Sequence, residues 1–94
     1  MNEKIVSLKA RISGRVQGVG YRYWTKQEAD SLGLTGYVRN LPDGDVEAVF
    51  EGEENLVNLI LKRAYQGPSF SRVSEIKVSD YPQIGQFSEF KIVF

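Results

Sequence analysis

The stretch Gly14-Arg15-Val16-Gln17-Gly18-Val19-Gly20-Tyr21-Arg22 lies between an alternating apolar run and an amphipathic run. That order predicts a strand, a loop and a helix. Glycine permits positive φ and lets a ligand approach the backbone closely. A loop that runs into a helix start also directs free N–H groups to one point, where the helix dipole is positive. With Arg22 on the first helical turn, the stretch predicts a phosphate-binding cradle, and a connector that binds nothing is the alternative.

The glycine spacing excludes three other phosphate-binding loops. Glycines at 14, 18 and 20 do not fit the dinucleotide fingerprint G-x-G-x-x-G. The nucleotide P-loop requires a lysine after its second glycine, and this stretch has none. A kinase-type glycine loop requires a further set of motifs that 94 residues cannot hold.

Composition limits both the partners and the chemistry. The 94 residues predict a single domain over 1–94. Twelve basic and twelve acidic residues balance, which argues against a nucleic-acid or membrane-surface binder. Because histidine and cysteine are absent, there is no imidazole base, no thiolate nucleophile and no zinc site of the usual ligands. No apolar stretch reaches the length of a signal-peptide core or a membrane span, so a cytoplasmic location is expected.

Hydrophobic periodicity predicts five strands and two helices. The strands are expected at 4–13, 35–41, 45–51, 73–80 and 87–94, and the helices at about 21–32 and 53–66. The aromatic residues Tyr21, Tyr23 and Trp24 are interpreted as packing residues. The order βαββαβ plus a C-terminal fifth strand predicts a ferredoxin-like α+β sandwich. Its sheet is mainly antiparallel, with two helices on one face and only that face fully buried.

This topology predicts which residues meet. The first helix is a crossover, so the first two strands point the same way and end at the same edge of the sheet. The glycine loop and Asn40 are therefore expected to be neighbours. Strand alternation turns Arg39 to the opposite face as a surface residue, and Arg11 is interpreted as a solvated residue.

At this point the residues resemble a known family. The stretch 14–22 is similar to the first signature of the acylphosphatases. Gly36-Tyr37-Val38-Arg39-Asn40, followed by Gly44-Asp45-Val46 and then Gly52, is similar to the second. Length and element order match along nearly the whole chain. Tyr21 departs from the usual phenylalanine or methionine, so its hydroxyl needs a partner or water.

The resemblance implies hydrolysis of acyl phosphates to a carboxylate and inorganic phosphate, without metal or organic cofactor. It implies that Arg22 binds the phosphate and that Asn40 orients the attacking water. The cradle N–H groups are then those of Arg15, Val16, Gln17, Gly18, Val19 and Gly20. Elementary chemistry agrees, because a carboxylic acid has a pKa of about 4 and its anion leaves without a general acid. Phosphoryl transfer through a loose transition state needs mostly alignment and charge stabilisation.

The expected partners are a small acyl phosphate and inorganic phosphate, which is both product and competitive ligand, and a monomer is expected. The alternative is a non-enzymatic module of the same fold that senses phosphate or another anion. An RNA-binding module would need exposed aromatic residues on the central strands. The strand at 45–51 is expected to turn acids outward instead.

Overall fold

The computed structural model describes residues 4–94 and contains the seven predicted elements. In chain order they are β1 (Ile5–Arg15), α1 (Tyr21–Ser31), β2 (Thr35–Asn40), β3 (Val46–Glu53), α2 (Glu54–Ala64), β4 (Arg72–Asp80) and β5 (Phe90–Val93). Most bounds lie within two residues of the prediction, whereas β5 is only four residues long. No helix in this part of the chain is long and apolar enough to cross a membrane.

The five strands form one sheet in the order β4-β1-β3-β2-β5. The strand β1 pairs antiparallel with β3 and β4, and β3 pairs antiparallel with β2. Only β2 and β5 are parallel neighbours. Because β1 and β2 are both antiparallel to β3, they point the same way, and their carboxyl ends share one edge. The predicted ferredoxin-like fold is confirmed.

The hydrophobic core lies between the sheet and its two helices. Both helices bury a stripe of side chains at helical spacing, with Tyr21, Thr25 and Ala29 from α1 and Val57, Ile60 and Ala64 from α2. The sheet face opposite contributes Ala10, Ile12, Val38, Val46, Ala48, Phe50 and Phe90. The rings of Phe50 and Phe90 stack with centroids 5.6 Å apart. This packing fixes α1, and with it the loop that precedes the helix.

The outer face of the sheet is more covered than the sequence predicts. Glu47 and Glu51, expected to be turned outward to solvent, are each only 8% exposed. The loop between β4 and β5 lies over this face, and the N–H of Gly85 donates to both Glu51 carboxylate oxygens at 3.2 and 3.0 Å. The ring of Phe87 packs against Tyr37 at 5.9 Å. The expectation of a single fully buried face is therefore wrong at the sheet centre.

Arg39 shares this outer face with Glu47. Its Nε donates to Glu47 Oε1 at 2.8 Å, and the Tyr37 hydroxyl donates to the same oxygen at 2.7 Å. Burial opposes ionisation of Glu47, but these hydrogen bonds hold its pKa below the usual value. Arg39 is thus on the predicted face, half exposed and paired.

Arg11 is exposed, as the sequence predicts, and it also forms ion pairs. Its guanidinium pairs with Asp43 and with Asp45, where Nε lies 2.7 Å from Oδ2. Both acids belong to the turn between β2 and β3, in which the Gly44 N–H donates to Leu41 O at 3.2 Å. The Asp45 N–H donates to Asp43 Oδ1 at 3.0 Å, as expected of an aspartate that stabilises a turn. Arg11 therefore joins the centre of β1 to this turn.

Candidate active site

The glycine stretch divides between a strand and a loop. Gly14 and Arg15 belong to β1, where Arg15 is opposite Arg72 of β4 after a register shift at Ser13 and Gly14. Gly14 has φ 125°, and a Cβ there would collide with the Arg72 carbonyl. The first glycine thus permits close strand pairing, and the loop proper is residues 16–20.

The loop 16–20 is fixed at its apolar positions and open at its glycines. Val16 is buried in the core and Val19 packs against it. Gly18 and Gly20 have φ of 74° and 81°, in the left-handed region that favours glycine. Between residues 4 and 94, no hydrogen-bond acceptor is found for the backbone N–H groups of 16–20. They are therefore available to a ligand.

Helix α1 begins directly after this loop without a cap. Gly20 at the N-cap has no side chain to accept a hydrogen bond, and no acidic residue stands in the first turn. The first N–H group of this helix that has an acceptor in the described chain is that of Trp24, which donates to Gly20 O at 3.0 Å. The preceding N–H groups and the positive end of the helix dipole favour an anion at this point.

The side chain of Gln17 connects the loop to the turn that follows β2. Its Nε2 donates to the carbonyl oxygens of Leu41 and Asp45, both at 2.8 Å. From the sequence, only the backbone N–H of Gln17 is expected to take part in the cradle. Because both partners are backbone carbonyls distant along the chain, no residue-type pattern indicates this contact. Gln17 thereby holds the loop next to the strand that carries Asn40.

A cavity of about 110 Å³ brings the predicted residues together. Of these it is lined by Arg22, Asn40, Val16, Gly18 and Gly20, and also by Tyr21 and Tyr23. Arg15, Gln17 and Val19 do not line it. A larger cavity of about 400 Å³ lies at the other end of β1, beside Lys4 and Asp80, and contains none of the predicted residues. The smaller cavity is the candidate site, because its lining includes the cation Arg22 and the glycine loop.

The guanidinium of Arg22 stacks on an aromatic ring and is not paired with an acid. Its Cζ lies 4.8 Å from the ring centroid of Phe94. Within residues 4–94, no carboxylate forms an ion pair with Arg22, whereas Arg39 and Arg63 each have one such partner and Arg11 has two. The N–H groups of Arg22 can therefore donate to a bound anion.

Asn40 contributes an acceptor to the same cavity. Its Oδ1 is buried, and no donor in the described part of the chain reaches it. A buried acceptor without a partner costs about 1–3 kcal/mol. A water molecule or ligand donor at this oxygen would remove that cost, so the atom is suited to hold a small hydrogen-bonding molecule.

The hydroxyl of Tyr21, which departs from the family signature, has a hydrogen-bond partner. Its hydroxyl donates to the carbonyl oxygen of Ala64 at 2.6 Å, near the C-terminal end of α2. Burial raises the pKa of this phenol, so it stays protonated and keeps donating. The ring packs against Trp24 with centroids 5.5 Å apart. Tyr23 differs, because it is 61% exposed at the cavity and the interpretation as a packing residue is wrong for it.

The acidic residues are dispersed. Among residues 4–94, no group of three or more His, Cys, Asp or Glu side chains is placed to hold a metal ion. The polar groups of the site are therefore the guanidinium of Arg22, free backbone N–H groups and the amide oxygen of Asn40.

The fold and the cavity together define a ferredoxin-like α+β protein with a glycine-rich loop after its first strand, whose N–H groups are unpaired within residues 4–94. A family model described as acylphosphatase matches residues 8–92. The chain belongs to the acylphosphatase family, as the resemblance predicts.

Individual relatives agree along the whole length. The chain is 52% identical to an acylphosphatase of Acaryochloris marina over 99% of both chains. It is 45% identical to one of Methanothrix thermoacetophila, over 95% of this chain and 98% of the relative. The crystal structure of acylphosphatase from Bacillus subtilis matches with a TM-score of 0.91 and 36% identity, over 97% of this chain and 100% of that one. These findings support a hydrolase and do not favour the non-enzymatic alternative.

Proposed function

We propose that this chain hydrolyses acyl phosphates by direct attack of water on phosphorus, within the cavity between the loop 16–20 and Asn40. The observation that carries this proposal is that Arg22 and the buried, unpartnered Oδ1 of Asn40 line one cavity. A cation for phosphate and an acceptor for water are the two groups that this reaction requires.

Arg22 and the backbone of residues 15–20 bind the phosphoryl group. A guanidinium donates two parallel hydrogen bonds to phosphate oxygens, and each charge-assisted bond is stronger than a neutral one. The free N–H groups of the loop and of the uncapped helix start add donors at fixed positions. As charge spreads over the equatorial oxygens in the transition state, these donors stabilise it.

Asn40 positions the nucleophile. Its Oδ1 accepts a hydrogen bond from water and holds the water opposite the leaving oxygen. The bond from water oxygen to phosphorus forms as the bond from phosphorus to the acyl oxygen breaks, and the carboxylate leaves with that electron pair. The cavity lining includes no carboxylate and no histidine. The water proton therefore passes to a phosphate oxygen of the substrate.

The remaining expectations belong to the same proposal. Residues 1–94 form a single domain that acts as a cytoplasmic monomer, and inorganic phosphate occupies the cradle as product and competitive ligand. Support for the last point comes from the N–H groups of the loop, which bind phosphate with or without its acyl group.

The experiment is to measure phosphate release from benzoyl phosphate with and without a chelator. We expect hydrolysis at the same rate in excess EDTA, because the acids in the described chain do not gather into a ligand set. Complete loss with EDTA that added magnesium restores would contradict the mechanism. Binding of inorganic phosphate without any turnover would instead identify an anion-sensing module.

A further inference from the structure

The position of the attacking water sets the direction of the acyl group. The Oδ1 of Asn40, which holds the water in the proposed mechanism, is buried in the lining of a cavity of about 110 Å³. In an in-line displacement the leaving oxygen is on the side of phosphorus opposite the water, so the acyl group of any substrate extends outward. The residues at the cavity mouth therefore decide which acyl groups fit.

Phe94 lies beside the cavity, where its ring contacts Arg22 of the lining. The strand β5 runs parallel to β2, with Val93 opposite Arg39. Phe94 comes directly after β5, and Asn40 is the last residue of β2. The two residues therefore lie at the same end of these neighbouring strands. The Phe94 ring is 86% exposed although one of its faces meets the Arg22 guanidinium at 4.8 Å. Its other face is open to a ligand.

Tyr23 supplies a second aromatic ring at the same place. It lines the cavity together with Arg22 and Asn40, yet 61% of its surface is exposed. No hydrogen bond of its hydroxyl is found within residues 4–94. A single exposed aromatic residue needs no explanation. Here Tyr23 lines the cavity and the ring of Phe94 contacts the guanidinium of Arg22, which lines it too, so two exposed aromatic surfaces adjoin the cavity from which the acyl group extends.

We propose that Tyr23 and Phe94 form an acyl-binding rim that favours substrates with an aromatic acyl group. This inference rests on the proposed hydrolysis of acyl phosphates. The two rings offer flat apolar faces, and aromatic rings in contact prefer offset or edge-to-face stacking. A small aliphatic acyl group, such as acetyl, is too short to cover either ring.

The test compares benzoyl phosphate with acetyl phosphate in wild type, Tyr23→Ser and Phe94→Ser. The measured quantity is the ratio of kcat/KM for the two substrates, divided by the same ratio in wild type. This double ratio cancels the difference in intrinsic reactivity of the two anhydrides. Tyr65→Ser is the matched control, since Tyr65 is 57% exposed and does not line the cavity.

We expect the double ratio to fall by a factor of about two to ten in each rim variant, the range for one aromatic contact. It should stay near one in Tyr65→Ser. A double ratio near one in both rim variants, with both substrates turned over, would overturn the inference and leave the proposed function intact. Equal losses of kcat/KM for both substrates in Phe94→Ser would contradict a contact between Phe94 and the acyl group. They would show that its ring only holds Arg22 in place. If wild type hydrolyses neither substrate, the proposed function itself has failed.

Discussion

At the scale of single residues, the substitution Arg22→Lys distinguishes the effect of the positive charge from that of the planar guanidinium shape. Lysine keeps the positive charge but loses the planar group that donates to two phosphate oxygens at once. One charge-assisted hydrogen bond contributes about 1.5–3 kcal/mol, and each 1.36 kcal/mol is a tenfold change in rate. Arg22→Lys should therefore lower kcat/KM by at least about one to two orders of magnitude, with an unchanged circular dichroism spectrum.

The control for Arg22 is Arg15→Lys. Arg15 is exposed at the end of β1 and contributes only its backbone to the proposed cradle, which lysine preserves. Its kcat/KM should fall far less. Equal losses at the two positions, or none at Arg22, would mean that the wrong arginine has been assigned.

Replacement of Asn40 is expected to impair positioning of the attacking water and to leave binding of the anion intact. Asn40→Ala should lower kcat about a hundredfold or more, the size of effect that misplacing a reacting group produces. Phosphate affinity should change little, and so should the Tm, because the Oδ1 that is removed has no partner within residues 4–94. Asn40→Asp should also be poor, since its charge repels the substrate dianion. Normal turnover by Asn40→Ala would exclude it from the mechanism.

At the scale of elements, the loop 16–20 depends on its link to the turn after β2. Gln17→Leu keeps the size of the side chain but removes two hydrogen bonds, each contributing about 0.5–1.5 kcal/mol. We expect a loss of about 1–3 kcal/mol in the free energy of unfolding, measured in urea, and weaker binding of phosphate.

Gln27→Leu is the matched control for this loop. Gln27 is exposed on α1, and the structure gives its side chain no hydrogen bond. Leucine is as good a helix former as glutamine, so stability and phosphate binding should be close to wild type. A Gln17→Leu protein that behaves like this control would show that the loop holds its shape without the link.

The sequence predicted those features that depend on local pattern or on strand direction. That Arg22 and Asn40 line one cavity could be predicted, because a motif and the shared direction of β1 and β2 place them at one edge. The Gln17 contacts and the pairs of Arg11 were missed because their partners are set by tertiary geometry. The cover over Glu51 was missed as well, since the loop between β4 and β5 has no periodicity from which its path could be predicted.

At the scale of the whole molecule, the cradle should couple phosphate binding to stability. Its parts come from the loop 16–20, α1 and β2, so it exists only in the folded chain. A ligand that binds only the folded state stabilises it by about 2.7 kcal/mol at a hundred times its Kd. Inorganic phosphate should raise the Tm and compete with substrate, whereas saturating phosphate without either effect would contradict the cradle assignment.

The parallel pairing of β2 with β5 has a consequence for how the chain folds. It joins the middle of the sequence to its last strand, so a long loop must close before these residues meet. Non-local pairings of this kind slow folding relative to local ones. The ring that Phe94 places on Arg22 therefore arrives only when the last strand docks. During refolding, recovery of the complete site should report the docking of β5, later than the appearance of helical signal from α1 and α2.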